Sequence, residues 1–141
     1  MQSIGIWRVK HRAPCIVFFW IMDIDFSNQY GDYICADLYD ANGNFMMRQT
    51  ELLVAAKYFE WLKPDIQVQL SDCEGGVEIE VSSDVFAKRV CIDFDAYDCV
   101  LSDNFFDITD RNAYKIKAQT EHTAEELRKS MQILSVYDIG R

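Results

Sequence analysis

Val77-Glu78-Ile79-Glu80-Val81-Ser82 alternates apolar and polar side chains without a break. A period of two puts Val77, Ile79 and Val81 on one face and the two glutamates on the other, as a strand with one buried and one wet face requires. Gly75-Gly76 just ahead supplies the turn into it. Working outward, further strands are expected at Ile66–Leu70, Phe86–Phe94, Val100–Phe106, Tyr114–Ala118 and Gln132–Tyr137. Turn-rich spacers separate them: Ser71-Asp72, Asp95-Ala96-Tyr97-Asp98 and Asp110-Arg111-Asn112. Short strands at this spacing predict an all-β chain with an antiparallel sandwich. Its expected core is Val77, Ile79, Val81, Val90, Ile92, Phe94, Ile116 and Leu134. Thr123-Ala124-Glu125-Glu126 is a capping box, so one or two helical turns should interrupt the strands, with Leu127 and Met131 on one face.

Residues 1–63 read as strands too: Gly5–Lys10, Cys15–Ile24, Tyr33–Tyr39 and Phe45–Val54. Ile34, Ala36 and Leu38 share a face of the third. Asp40-Ala41-Asn42-Gly43-Asn44 is a hairpin signal, because Asn-Gly accepts the positive φ angles of a tight turn. Lys63-Pro64-Asp65 favours an extended linker, which places a boundary between residues 1–63 and 64–141. Charge changes there as well. Residues 1–63 hold six Lys/Arg against seven Asp/Glu, a net of −1, and residues 64–141 hold eight against sixteen, a net of −8.

Composition excludes several functions. A net charge of −9 leaves no basic surface for phosphates, so nucleic acid is not an expected partner. The apolar run Cys15–Met22 is eight residues long and ends on Asp23, too short to span a bilayer and without the cleavage site of a secretory signal. The reading is a soluble chain with no targeting segment, its compartment left open. Five cysteines without a C-x-x-C pair read as small buried thiols, with one Cys91–Cys99 disulfide as the alternative. At 141 residues the chain cannot contain an eight-fold β/α barrel, which needs at least ~200.

Ser82-Ser83-Asp84-Val85-Phe86-Ala87-Lys88, followed by Ser102-Asp103-Asn104-Phe105-Phe106-Asp107, resembles the last, immunoglobulin-like domain of the β-mannosidases of glycoside hydrolase family 2. Pro64-Asp65-Ile66 and Leu134-Ser135-Val136-Tyr137-Asp138 resemble the opening and the closing strand of that domain. Asp37-Leu38-Tyr39-Asp40-Ala41-Asn42-Gly43 resembles the late hairpin of the penultimate sandwich domain, and Leu52-Leu53-Val54-Ala55-Ala56-Lys57-Tyr58-Phe59 the segment leaving it, with Ala56 where the family commonly has proline. A complete penultimate domain needs roughly a hundred residues. The resemblance therefore implies that residues 1–63 are a partial sandwich or sheet and 64–141 an Ig-like sandwich. In that family the catalytic carboxylates sit on a barrel, so no catalytic, cofactor or metal residue is expected here.

Each cluster that suggests chemistry also has a structural explanation. Asp93, Asp95, Asp98, Asp103, Asn104, Asp107 and Asp110 crowd into eighteen residues, a density of hard oxygens that suits Ca²⁺, yet Asp and Asn also satisfy turn amides. Asp40, Asn42, Asn44 and Glu51 imitate an EF-hand loop, but Phe45 stands where that loop needs glycine. Trp7, Trp20, Trp61, Tyr58 and Tyr97 could stack on sugar rings or fill the sandwich. His11 and His122 belong to no triad pattern. The expected function is structural: an accessory region docking on the remaining domains of a parent hydrolase and self-associating through residues 1–63. The alternative is a carbohydrate-binding module with exposed aromatics.

Overall fold

The computed structural model describes the backbone of residues 15–20 and all of residues 30–109 and 112–139. The expected strand Gly5–Lys10, the side chains of Cys15–Met22, and Trp7, His11 and Asp110 lie outside the described residues. The chain divides into two compact units, Met1–Trp61 and Leu62–Arg141.

In the first unit β1 (Cys15–Trp20), β2 (Tyr33–Asp40) and β3 (Phe45–Leu52) form an antiparallel sheet in the order β1-β2-β3. Asp40 closes the β2–β3 hairpin. Its carboxylate accepts the backbone N–H groups of Asn42 and Asn44 at 2.8 and 2.9 Å and the Asn44 side-chain amide at 2.8 Å. Gly43 has φ +86°, the left-handed conformation the Asn-Gly pair supplies. The register slips at Leu38/Tyr39, so Asp37 stands directly opposite Arg48. The more deeply buried face is therefore not the apolar one: Ile34 is 41% exposed, whereas Asp37 and Thr50 are buried. Arg48 and Asp37 form a bidentate pair, Nε to Oδ1 at 2.7 Å and Nη2 to Oδ2 at 2.8 Å. A 3-10 turn, Ala56–Tyr58, follows β3.

The second unit is an antiparallel sandwich. One sheet has the order β4-β5-β9-β7, from Ile66–Cys73, Gly76–Ser83, Tyr114–Gln119 and Val100–Leu101. The other has the order β10-β6-β8, from Met131–Leu134, Ala87–Phe94 and Phe106–Ile108. Both sheets feed one core. Val77, Ile79, Val81 and Ile116 come from the first, and Val90, Ile92, Phe94, Phe106 and Ile108 from the second, all at or below 6% exposure. Fully burying side chains of this size stabilises by roughly 1.5–3 kcal/mol each before chain entropy is counted. The alternation read from Val77–Val81 is the observed register, with Ile79 opposite Leu70 on one side and Ile116 on the other. Gly76 fits where it does because a Cβ there would meet the Ala118 carbonyl oxygen.

Three expectations require correction. Leu134 is 48% exposed and not in the core. In β10 it is Met131 and Ile133 that pack inward, a one-residue change of parity that turns Leu134 outward. The closing strand also stops at Leu134, because Ser135 caps a short helix, α2 (Val136–Ile139): its N–H and hydroxyl donate to Asp138 Oδ2 at 2.8 and 2.9 Å. Finally, the described cysteines are thiols as the composition suggests, but they are not buried: Cys73 is exposed and Cys35, Cys91 and Cys99 are half-buried. The helix α1 (Ala124–Ser130) forms as its capping box requires. Thr123 accepts from Glu126 N, Glu126 returns a carboxylate to Thr123 N, and Leu127 is fully buried beneath it.

Candidate functional site

The aspartate-rich stretch, the densest group of potential ligands in the sequence, is engaged in hydrogen bonds to its own backbone and to neighbouring strands. Val100–Phe106 is not one strand but two, split at residues 102–105. Across this gap Asn104 does the work of a strand residue: its Oδ1 accepts Ile92 N–H and its Nδ2 donates to Ile92 O, both at 2.9 Å. The same oxygen accepts Phe105 N–H at 3.0 Å, and Phe105 takes φ +61°, which the Asn104 bonds hold in place. Asp103 receives the Tyr114 hydroxyl at 2.6 Å. Asp107 accepts Arg89 N–H at 2.7 Å and Lys88 Nζ at 3.3 Å.

A bulge explains the last pair. From Ala87↔Ile108 to Val90↔Phe106 the chain advances three residues on β6 against two on β8. The extra residue puts Arg89 at φ +50°. Asp107 satisfies the amide that the bulge removes from the ladder. Asp93 accepts Phe94 N–H, and Asp95 accepts the Gln132 side-chain amide. Among the described residues no three His, Cys, Asp or Glu side chains converge as metal ligands would. Asp93, Asp95, Asp103, Asn104 and Asp107 thus serve the turns, the bulge and the strand contacts around them.

The EF-hand-like residues are likewise a hairpin. Hydrogen bonds from the Asn44 side chain and then the Asn44 backbone hold the Asp40 carboxyl below its ordinary pKa. In the Asp37–Arg48 pair the side chains are 5% and 4% exposed. Burial alone would lower the Arg48 pKa, but the hydrogen bond and charge of Asp37 outweigh it and hold the guanidinium above its usual value. Tyr39 nearby is raised, first by burial and then by the Asp37 charge.

Most of the described aromatic rings are occupied. Trp61 donates Nε1–H to Ala56 O at 2.9 Å and lies 4.7 Å from the Phe59 ring. Tyr97 packs on His122 at 4.1 Å between centroids. Phe106 and Tyr114 stack at 4.5 Å in the core. Tyr58 is 59% exposed beneath Lys57 Nζ. In the second unit Phe105, at 62%, is the one exposed aromatic among the described residues. Phe105 does not stand out in the sequence; its exposure follows from the break between the two strands around it, which only the structure shows.

A two-layer antiparallel sandwich of this strand order is a β-domain of immunoglobulin type. Residues 61–139, more than half of the chain, match the family model Ig_mannosidase, an Ig-fold domain, and the chain belongs to that family. Among solved structures, the chain is similar to the crystal structure of a β-D-mannosidase from Dictyoglomus thermophilum, with a TM-score of 0.70 and 14% sequence identity. The match covers 82% of this chain and 14% of that one, so the chain spans a small part of the enzyme's length. No curated protein matches the chain. Among the described residues no helix is long and apolar enough to cross a membrane.

Proposed function

We propose that this chain is a non-catalytic accessory region of a β-mannosidase-like glycoside hydrolase of family 2, with a structural, domain-packing role in an enzyme acting on β-mannosides. The observation that carries the reading is the Ig-fold family match over residues 61–139. The site geometry agrees with it. Asp103 and Asp107 accept bonds from neighbouring strands, and Asp93 and Asp95 bond within their own sheet, so these carboxylates act as structural acceptors. A retaining glycosidase instead needs two carboxylates ~5 Å apart, one kept protonated by its surroundings. The partners under this reading are the remaining domains of the hydrolase.

Two measurements test it. Purified chain should release no mannose from an aryl β-mannoside, and turnover abolished by mutating a carboxylate of this chain would refute the reading. Removing the region from its parent hydrolase should lower the melting temperature and leave the mannoside KM unchanged. The alternative, a carbohydrate-binding module, draws on the exposed rings of Tyr58 and Phe105. Amide shifts around either ring on titration with mannobiose, lost in Tyr58→Ala or Phe105→Ala, would favour it instead.

A further inference from the structure

Among the described residues the sandwich has four terminal strands, and they are unequal. β7 has two residues, β8 three and β10 four, which are short edges of the kind proteins use to prevent edge-to-edge pairing. β4 has eight residues, Ile66-Gln67-Val68-Gln69-Leu70-Ser71-Asp72-Cys73, and pairs on one side with β5. It contains no proline, lysine or arginine, and its pairing with β5 runs through eight consecutive residues without a bulge. Its inward row, Ile66, Val68 and Leu70, packs against the core yet remains half-buried. One more strand alongside would complete the covering of that row.

We propose that the outer edge of β4 is a self-pairing surface, on which two copies of this chain join β4 to β4 in an antiparallel, two-fold contact centred on Val68. The strand's own pattern selects this register. Centred on Val68, Ile66 faces the second copy's Leu70 and Val68 faces Val68, so every inward pair is apolar, while Gln67 faces Gln69 outside. Centred on Gln69, Ile66 would face Asp72, which is committed to capping α1 through a 2.7 Å bond from Ala124 N. In the Val68 register Asp72 falls opposite Pro64, ahead of the second copy's strand, and stays clear of the apolar row. This register also opposes no two carboxylates, since Asp65 falls across from Ser71. Residues 64–141 carry a net charge of −8, so the two copies repel at long range and association should strengthen with added salt. Self-association was expected from the sequence through residues 1–63; this assigns it to a strand of the second unit.

The test uses the full chain with Gln67→Lys/Gln69→Lys and Gln67→Glu/Gln69→Glu, all at exposed positions. In the proposed register each double variant sets like charges opposite one another at both glutamine pairs. Each alone should dimerise about tenfold more weakly than the parent chain at low salt, and an equimolar mixture should recover a mixed dimer. Sedimentation equilibrium reads the affinity, and native mass spectrometry reads the mixed species. A parent chain that stays monomeric up to about 1 mM overturns the proposal. So does a dimer that both variants leave intact, which would place the contact elsewhere, with residues 1–63 first in line. A lysine variant that associates more tightly than the parent also overturns it, because net charge alone would then govern.

Discussion

Replacing Asn104 by alanine removes two side-chain bonds to one buried backbone position and one to the next residue in the chain. Ile92 is 1% exposed, and its N–H and C=O are both satisfied at 2.9 Å by the Asn104 amide. A hydrogen bond contributes about 1 kcal/mol net, but a buried group left without a partner costs about 1–3 kcal/mol. Two orphaned groups on Ile92, with some rescue by water at the edge of β6, give an expected loss of about 2–4 kcal/mol. For a unit of this size that is a fall in melting temperature of roughly 10–25 °C. Tryptophan fluorescence would miss it. Trp7, Trp20 and Trp61 all lie in the first unit, and the second has none. The assay is amide hydrogen exchange at Ile92 and its strand neighbours, alongside urea unfolding followed by far-UV circular dichroism. In Asn104→Asp an ionised carboxylate faces the Ile92 carbonyl, and protonation restores the donor. The Ile92 carbonyl then favours the protonated form, while the Ile92 and Phe105 N–H groups on the other oxygen favour the ionised one. A loss under about 0.5 kcal/mol for Asn104→Ala, with Ile92 protection unchanged, would refute the view that Asn104 stands in for the missing strand.

Arg48→Met should destabilise the first unit by about 3–5 kcal/mol by leaving the buried Asp37 carboxylate unpaired, while Asp37→Leu/Arg48→Met should recover most of the loss, both read by tryptophan fluorescence in urea. Gly76→Ala places a Cβ on the Ala118 carbonyl oxygen, a backbone atom that cannot swing aside, so soluble yield should collapse; Gly43→Ala meets open space and should cost only its left-handed strain, about 1 kcal/mol by thermal melt. Acidification should loosen the Asp40 hairpin and the Thr123 cap together. Asp40 and Glu126 both have pKa values lowered by hydrogen bonds to the folded backbone and to Asn44 or Thr123 side chains, so their contribution is present above the ordinary carboxylate range and lost as pH falls through the folded values. The Asn42, Asn44 and Thr123 amide resonances should report that loss, and shifts that stay flat to the acid limit would contradict it.

The strands of the second unit could be read from the sequence because their periodicity is strong and each inward position is filled by a residue that belongs there: Val77, Ile79 and Val81 are all at 0% exposure. The helix was equally plain in Thr123-Ala124-Glu125-Glu126. Errors arose where side chains replace backbone pairing. Asn104 interrupts a run that looks like a strand, and Ser135 starts a helical turn where apolar residues suggested continued extension. The Ser-x-x-Asp spacing from Ser135 to Asp138 was a cap signal in plain view, but the alternation through Val136 obscured it. Periodicity also could not give the parity of β10, since Ile133 and Leu134 are equally apolar neighbours and only the pairing to β6 decides which one turns inward. The buried Asp37–Arg48 pair follows from the hairpin register only once the one-residue slip at Leu38/Tyr39 is known.

Residues 103–107 grip both layers of the sandwich. Asp103 holds Tyr114 in the four-stranded sheet, while Asn104 and Asp107 hold Ile92 and Arg89 in the three-stranded one. The five residues therefore set the spacing between the layers as a rivet of fixed length would. One inserted residue here would pull an anchor from its seat on one sheet or the other. Lineages that diversify this domain should vary the Asp95–Asp98 turn freely and keep the length of this connector constant.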